Sequence, residues 1–334
     1  MKTEINVLHL SDIHFGYETK QEITLIGQRK NVLNALIDRL KQIEPKWKPD
    51  IVVISGDIGW KGITENYKPA KEWITSLLQI LNLSSRELLI CPGNHDIDRN
   101  KTVGMDYTDS PTKADSWLKI ENLEHFERLF NSFNEFCREI SLPLLKIADK
   151  ESYLVGVREL LGLRFVVLNS AWFCRGDEDK NKLWIGLPQL ELMNAKNQLL
   201  NETNYDSENI LLAITHHPDS WLNDNETNSY GGRTNTYNYL AERSHIILSG
   251  HVHGEIKRPN RMSNRAYLFT AGATYANKNY RNNFSILKIE TKNRILTRKS
   301  YEYNPSCTNW NEISNPENYY LRKDESSIKS VNSL

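Results

Sequence analysis

Glu87-Leu88-Leu89-Ile90-Cys91-Pro92-Gly93-Asn94-His95-Asp96 decides how this chain is read. An apolar run of strand length stops at Pro-Gly and is followed at once by an amide, an imidazole and a carboxylate. A turn there needs neither His nor Asp, so these residue types call for a chemical explanation. The arrangement recurs along the chain. Ile5-Asn6-Val7-Leu8-His9-Leu10 leads into Asp12-Ile13-His14, and Ile51-Val52-Val53-Ile54-Ser55 into Gly56-Asp57. Ile210–Thr215 leads into His216-His217-Pro218, and Ile246–Leu248 into Gly250-His251-Val252-His253. Each segment puts metal-ligand residues just past a strand, in the crevice where an open α/β sheet holds its ligands.

Between these strands the spacing turns helical. Val32, Leu33, Leu36, Ile37, Leu40 and Ile43 share one face over Gln28–Ile43, and Pro45 closes that helix. A second helix is expected over Tyr67–Leu81, with Pro69 in its first turn. Strands alternating with crossover helices predict an α/β sheet that begins parallel. From Asn100 to about Asp149 the pattern changes. Trp117–Ile140 carries aromatics at helical spacing and reads as a helical insertion, a cap over a site or a dimer surface, its rings assigned to core. Strand patterns return at Tyr153–Val157, Arg164–Leu168, Ile210–Thr215, Ile246–Leu248, Tyr267–Ala271 and Phe284–Ile289. A helix is expected over Pro188–Leu200 and a loop over Asp224–Asn238. From Asn304 the chain is polar, and Asp324–Leu334 reads as a frayed tail or the start of a linker.

The 334 residues balance 42 Lys+Arg against 42 Asp+Glu, which excludes a globally basic nucleic-acid binder but not a local basic patch. Four scattered cysteines show no C-x-x-C spacing, so neither a disulfide framework nor a thiolate zinc site is expected. No apolar run approaches a membrane span, and the N-terminus lacks a signal-peptide core. The expectation is a cytoplasmic protein with no membrane partner.

The donor set is Asp, Asn and His. Oxygen and nitrogen donors without thiolates suit manganese, iron, zinc or nickel. Two such ions about 3.5–4 Å apart, bridged by a carboxylate, clamp a phosphate and lower the pKa of a shared water. In Asp12-Ile13-His14 and His251-Val252-His253, an extended backbone puts both ligands on one side.

The ordered motifs, from Val7 to about Ile289, resemble those of the calcineurin-like metallophosphoesterases. The resemblance implies an α/β/β/α sandwich of two mixed β-sheets flanked by helices, over residues 1–303 with a helical insertion at about 101–150. Residues 304–334 would then be a C-terminal extension or tail. It implies two divalent metal ions, manganese foremost. Asp12, His14 and His253 would bind one, Asn94, His216 and His251 the other, and Asp57 would bridge them. His95 would donate a proton to the leaving oxygen or contact the phosphate, with Asp96 orienting it. The family's His-x-Pro pattern selects His216. His217 stays open between a supporting group and a substrate contact. His9, His125 and His245 lack a motif and read as structural.

Departures from the family's branches narrow the class. No Arg follows Asp57 in Ile58-Gly59-Trp60-Lys61, and Asp rather than Glu follows His95, which disfavours a phosphoprotein phosphatase. Trp60 stands where purple acid phosphatases place a tyrosine ligand. What remains resembles the bacterial branch of cyclic-nucleotide phosphodiesterases and repair exonucleases. Gly93–Arg99 and Tyr301–Trp310 resemble modules fused to signalling or defence NTPases, although the chain itself has no P-loop. The expected activity is hydrolysis of cyclic nucleotides or small phosphodiesters by a metal-bound hydroxide. A DNA or RNA nuclease and a non-catalytic metal-bound binding module are the alternatives. Arg233 is a candidate phosphate contact, and Lys257, Arg258, Arg261 and Arg265 form a candidate nucleic-acid patch. A partner protein or a homo-oligomer remains open.

Overall fold

The computed structural model describes residues 2–17, 23–176, 178–254, 258–263, 265–276, 280–313 and 316–322. In chain order the elements are β1 (Glu4–Leu10), α1 (Ile23–Lys41), β2 (Ile51–Ser55), α2 (Thr64–Leu81) and β3 (Leu88–Cys91). Next come α3 (Pro111–Trp117), α4 (Glu124–Glu127), α5 (Asn131–Glu139), β4 (Leu145–Ile147), β5 (Lys150–Ser152), β6 (Gly156–Leu160) and β7 (Leu163–Val167). They are followed by α6 (Leu187–Ala195), β8 (Leu211–Ile214), α7 (Asp224–Thr227), α8 (Thr236–Ala241), β9 (Ile246–Ser249) and β10 (Asn260–Met262). The chain closes with β11 (Ala266–Thr270), β12 (Asn283–Glu290), β13 (Ile295–Asn304), β14 (Asn309–Glu312) and β15 (Glu317–Tyr320).

Among the described residues these strands form two mixed sheets. One runs β14-β13-β12-β1-β2-β3, with β15 also on β13; the other runs β10-β11-β9-β8-β7-β6-β4-β5. As predicted, β1, β2 and β3 are parallel, and β12 lies antiparallel against β1. In the second sheet β7, β8, β9 and β11 are parallel. Alternation along each strand explains the continuous apolar runs. Ile5, Val7, Ile51 and Val53 pack against Phe165, Val167, Leu212 and Leu248 between the sheets. Leu8, Leu10, Val52 and Ile54 face the other way, onto the helices. The architecture is the α/β/β/α sandwich expected from the motifs.

Several local expectations need correction. The helical insertion expected around Trp117–Ile140 is helical but segmented, running from the end of α3 through α4 and α5 with short 3₁₀ turns at Ile120–Asn122 and Arg128–Phe130. From α4 to α5 the segment still buries an aromatic face: Phe126, Phe130, Phe133 and Phe136 are all buried. The insertion packs on α2 through Tyr67–Phe136 and on Trp172 and Phe173 through Phe126. The helix expected over Pro188–Leu200 is α6, ending at Ala195. Asn197 takes φ 54° there and Gln198 N–H bonds the Met193 carbonyl, a Schellman-type stop. The expected loop at Asp224–Asn238 contains α7 and the start of α8, because Asn223 and Asn235 act as side-chain N-caps. Pro69 lies in the second turn of α2 rather than its first. The Tyr153–Val157 run splits between a bend and β6.

The polar stretch from Asn304 supplies β14 and β15, both paired with β13. Trp310 is its anchor: the ring is buried and Nε1–H donates to the Val32 carbonyl of α1 at 3.1 Å. Residues 324–334 lie outside the described residues. Among the described residues, no helix is long and apolar enough to cross a membrane.

Candidate metal centre

The five motifs follow β1, β2, β3, β8 and β9, and they converge at the ends of these strands. Asp12, His14, Asp57 and Asn94 come from the first sheet; His216, His251 and His253 come from the second. The backbone that delivers them is not extended. Asp12, His14, Asp57, His251 and His253 have φ of 53°, 54°, 55°, 73° and 57°, a left-handed region costly for side chains of this kind. Ligands two residues apart do reach the same side, but by tight turns rather than by the pleat.

Close approach explains the glycines. A Cβ on Gly56 would lie 2.3 Å from His216 Nδ1, and one on Gly93 would lie 2.1 Å from Asp57 Oδ1. Backbone bonds lock the loops together. Ile13 N–H and His14 N–H donate to the Asp57 carbonyl at 2.9 and 3.0 Å, and Gly250 N–H donates to the His216 carbonyl at 2.9 Å. Side-chain oxygens close the lock: Asp12 Oδ2 accepts from His251 N–H at 2.9 Å and Asp57 Oδ1 from His95 N–H at 2.8 Å. The Arg29 guanidinium, buried in α1, donates to the His14 carbonyl at 2.9 Å.

The remaining donor atoms face one another. Asp57 Oδ2 lies 3.2 Å from both His14 Nε2 and His216 Nε2. Asp12 Oδ1 is 3.4 Å from His253 Nε2 and 4.0 Å from His14 Nε2. Asn94 Oδ1 is 3.1 Å from His216 Nε2 and 3.0 Å from His251 Nδ1, and these two nitrogens are 3.2 Å apart. His216 Nδ1 meets the Ser55 carbonyl at 2.7 Å, a contact that fixes the tautomer and leaves Nε2 for the centre. Asp12 Oδ1 is buried without a hydrogen bond.

The electrostatics have the same origin. Burial opposes charge on every group here, yet the carboxylates sit beside imidazoles. For Asp57, burial is the largest single influence, but His216, His95 and His14 together outweigh it and hold the carboxyl well below its usual range. Asp12 is likewise held low, by His253 against burial. Burial would lower the His216 imidazole, but Asp57 outweighs it and the pKa is pushed up to about 9. Burial dominates at His251, which falls to about 3. Converging lone pairs, a buried carboxylate oxygen without a hydrogen bond and an all-oxygen-and-nitrogen donor set fit divalent cations. Four overlapping groups of donors converge: Asp12, His14 and His253; His14, Asp57 and His95; Asp12, Asp57 and His216; and His216, His217 and His251, with Asn94 Oδ1 against His216 and His251.

The other predicted site residues divide. His95 is in place: its ring is 5.1 Å from that of His14. Asp96 does not orient it. Both Asp96 oxygens are taken, Oδ1 by Gly59 N–H at 2.8 Å and Tyr67 Oη–H at 2.9 Å, Oδ2 by Ile58 N–H at 3.2 Å and Gly93 N–H at 3.0 Å. Asp96 therefore ties the Asp57 loop to the Asn94 loop. The Trp60 carbonyl holds His95, accepting from Nδ1–H at 2.9 Å, and the Trp60 indole stacks on its ring at 4.0 Å. Nor is His95 favoured in its protonated form, since burial lowers its pKa to about 4.

His217 does not point away from His216. β8 ends at Ile214, so strand alternation no longer applies, and the His217 ring lies 4.4 Å from that of His251. It is fully buried, with Nδ1 2.8 Å from Ser170 Oγ, which removes it as a direct substrate contact. Arg233 is also elsewhere. It forms a two-bond pair with Asp115 of α3 at 2.8 and 2.9 Å and donates to the Asn225 carbonyl at 2.6 Å. Of the basic cluster, Arg265 pairs with Glu202 and Arg261 donates to the Arg322 carbonyl at 2.7 Å; Lys257 lies outside the described residues. His9 and His245 are buried, His9 against Ser55 Oγ at 2.9 Å, as their lack of a motif suggested.

A family model for calcineurin-like phosphoesterases matches residues 5–255. The chain belongs to that family. The structure most usefully compared with this phosphoesterase is a dimetal phosphatase from Danio rerio, with a TM-score of 0.53 at 12% identity over 95% of this chain and 99% of that one. At that identity the likeness concerns the fold. The metallophosphoesterase-like protein YydB of Bacillus subtilis is 23% identical over 266 residues, 75% of this chain and 49% of its own length. The probable glycerophosphodiester phosphodiesterase GpdQ of Arcobacter nitrofigilis is 24% identical over 212 residues, 64% of this chain and 56% of its own length. The phosphoesterase thus spans about half the length of the curated relatives it matches. By family it is a calcineurin-like phosphoesterase, with residues suited to divalent metals.

Sequence reasoning read Trp60 only as the absence of a tyrosine ligand, and it missed Tyr67, Ser170 and Arg29 around this centre. Trp60 had a signal, since it occupies a position of known chemical weight. A buried Arg on a helix and a Ser after a strand carry none.

Proposed function

We propose that this chain is a two-metal phosphodiesterase acting on small diesters. The observation that carries the reading is the Asp57 carboxylate, whose Oδ2 stands 3.2 Å from both His14 and His216. Asp12, His14 and His253 would hold one ion and Asn94, His216 and His251 the other, with Asp57 shared. Manganese is the metal we expect. Bound there, the ions would neutralise phosphate charge and supply a nucleophilic water at neutral pH. The chain's own part is positioning and proton handling. With Nδ1–H given to the Trp60 carbonyl, His95 presents Nε2 to the site. A phosphate anion beside it would favour a proton on Nε2, which His95 would pass to the leaving oxygen. Asp96 would keep the Asp57 and Asn94 loops in register.

The named activity of the GpdQ relative supports a diester. The pairing of Arg261 and Arg265 within the fold weighs against a nucleic-acid track. The convergence of seven ligand candidates and His95 weighs against a non-catalytic module.

The test is hydrolysis by metal-stripped protein reloaded with manganese, iron, zinc or nickel. The panel is 3′,5′-cyclic AMP, glycerophosphoglycerol, an aryl monoester and single-stranded DNA. Metal-dependent cleavage of the small diesters, lost by at least about a hundredfold in Asp57→Asn and His95→Ala, is expected. DNA cleavage without small-diester turnover would replace this reading with the nuclease.

A further inference from the structure

The helical insertion holds a cavity of its own. About 490 Å³ lies between the segment before α3, α3 itself and the stretch through α4, a volume in the range of small-molecule sites. None of its lining residues belongs to the metal centre. The floor is apolar and fixed. Met105 and Trp117 are half-buried there, and Phe126 is buried. Trp117 stacks on Phe173 at 5.9 Å, and Phe126 meets the same ring edge-on at 5.3 Å. Asn122 Nδ2–H donates to the Ser116 carbonyl at 2.8 Å and ties the 3₁₀ turn to α3.

The exposed residues of the lining carry the charge. Lys113 and Arg128 are cations, Asp106 is a carboxylate and His125 an imidazole. Two cations against one carboxylate leave one positive charge, with His125 neutral. Asp115, two residues from Lys113, is already held by Arg233. Among the described residues, none of Lys113, His125 and Arg128 forms an ion pair. Lys113 instead sets Nζ 4.5 Å over the Trp117 ring, so charge and apolar surface meet at one point.

That combination selects a ligand. An apolar body covers the floor, and one anionic group meets Lys113 and Arg128. A dianion such as a phosphate monoester is disfavoured, since Asp106 repels the second charge and an apolar lining does not solvate it. A carboxylate carries the single charge and matches the two-pronged guanidinium of Arg128.

We propose that this cavity is a second ligand site, which takes a carboxylate with an apolar body. A ring acid and a fatty acid share that chemistry. The site stands independently of the reaction at the metal centre.

The test separates the charge from the body. In a titration calorimeter, 2-naphthoate, decanoate and the neutral 2-naphthamide are each added to the manganese-loaded chain and to the metal-stripped chain. At least one of the two acids is expected to bind at least about fivefold more tightly than the amide, with or without manganese. Lys113→Met and Arg128→Met are expected to remove most of that advantage, and Lys113→Arg to keep it. An unchanged melting temperature and manganese content would show that fold and centre are intact. A tighter fit of 2-naphthoate would name a ring acid as the ligand, and of decanoate a fatty acid. Acids that bind no better than the amide would overturn the site. Binding lost on removing manganese would overturn it too, because the acid would then sit on the metal. A chain that sediments as a dimer, separates on Met105→Glu and binds neither acid would give the cavity to a second copy instead.

Discussion

Asp96 shows how much one buried side chain does here. Its two oxygens accept four hydrogen bonds from Ile58, Gly59, Gly93 and Tyr67, and burial, then Asp57, raises its pKa to about 6. Asp96→Asn would turn one acceptor into a donor facing backbone N–H groups. It should cost about 2 kcal/mol or more and weaken metal retention, while Tyr67→Phe should cost about 1 kcal/mol. Urea denaturation and metal titration of the two variants check this. Glu226 offers a pH test away from the centre. Burial, only partly offset by Arg233, raises its pKa from 4.5 to about 7. Between those values the folded chain holds a proton that the unfolded chain has released. Glu226 thus favours folding fully below about pH 4.5, and that contribution is lost as pH rises through about 7. Glu226→Gln should flatten the fall in melting temperature between pH 5 and pH 8; an unchanged slope would assign the fall to other groups. The ligand candidates and His95 were legible because motifs fix residue type and order. The partners of Asp96, His217 and Arg233 were not, because those contacts come from residues distant in sequence, such as Tyr67, Ser170 and Asp115.

The elements were legible where hydrophobic period and length agreed, as in β1, β2, α1 and α2. β14 was not. Only Trp310 is buried in Asn309-Trp310-Asn311-Glu312, so the strand offers one apolar residue and no readable alternation. Its weight lies in docking on α1, and Trp310→Ala should cost about 3–5 kcal/mol, measured by denaturant unfolding. The break of the insertion into α3, α4 and α5 was equally hidden, since the aromatic spacing survives the interruptions. Arg233 joins α3 to the segment around α7 through Asp115 and the Asn225 carbonyl. Arg233→Met should therefore lower the melting temperature while leaving KM for small diesters unchanged. A raised KM at unchanged stability would return Arg233 to the role of phosphate contact.

For the whole molecule, the strand and helix pattern reached only a sheet that begins parallel; the α/β/β/α order was implied by the resemblance of the ordered motifs to a known family, and the left-handed turns that carry the ligands left no trace in the sequence. Buried carboxylates and imidazoles without an ion oppose one another's solvation, so bound metal should stabilise the fold. At a hundredfold excess over its dissociation constant, one ion contributes about 2.7 kcal/mol. Chelation should lower the melting temperature by about 5 °C or more, reversibly on adding manganese. The division of the centre between two sheets also governs when it comes into being. During synthesis from the N-terminus, Asp12, His14, Asp57 and Asn94 leave the ribosome while His216, His251 and His253 are still untranslated. The nascent chain carries half a coordination shell while the residues between Asn94 and His216 are added, and ion capture would be a late event that coincides with closure of the second sheet upon the first.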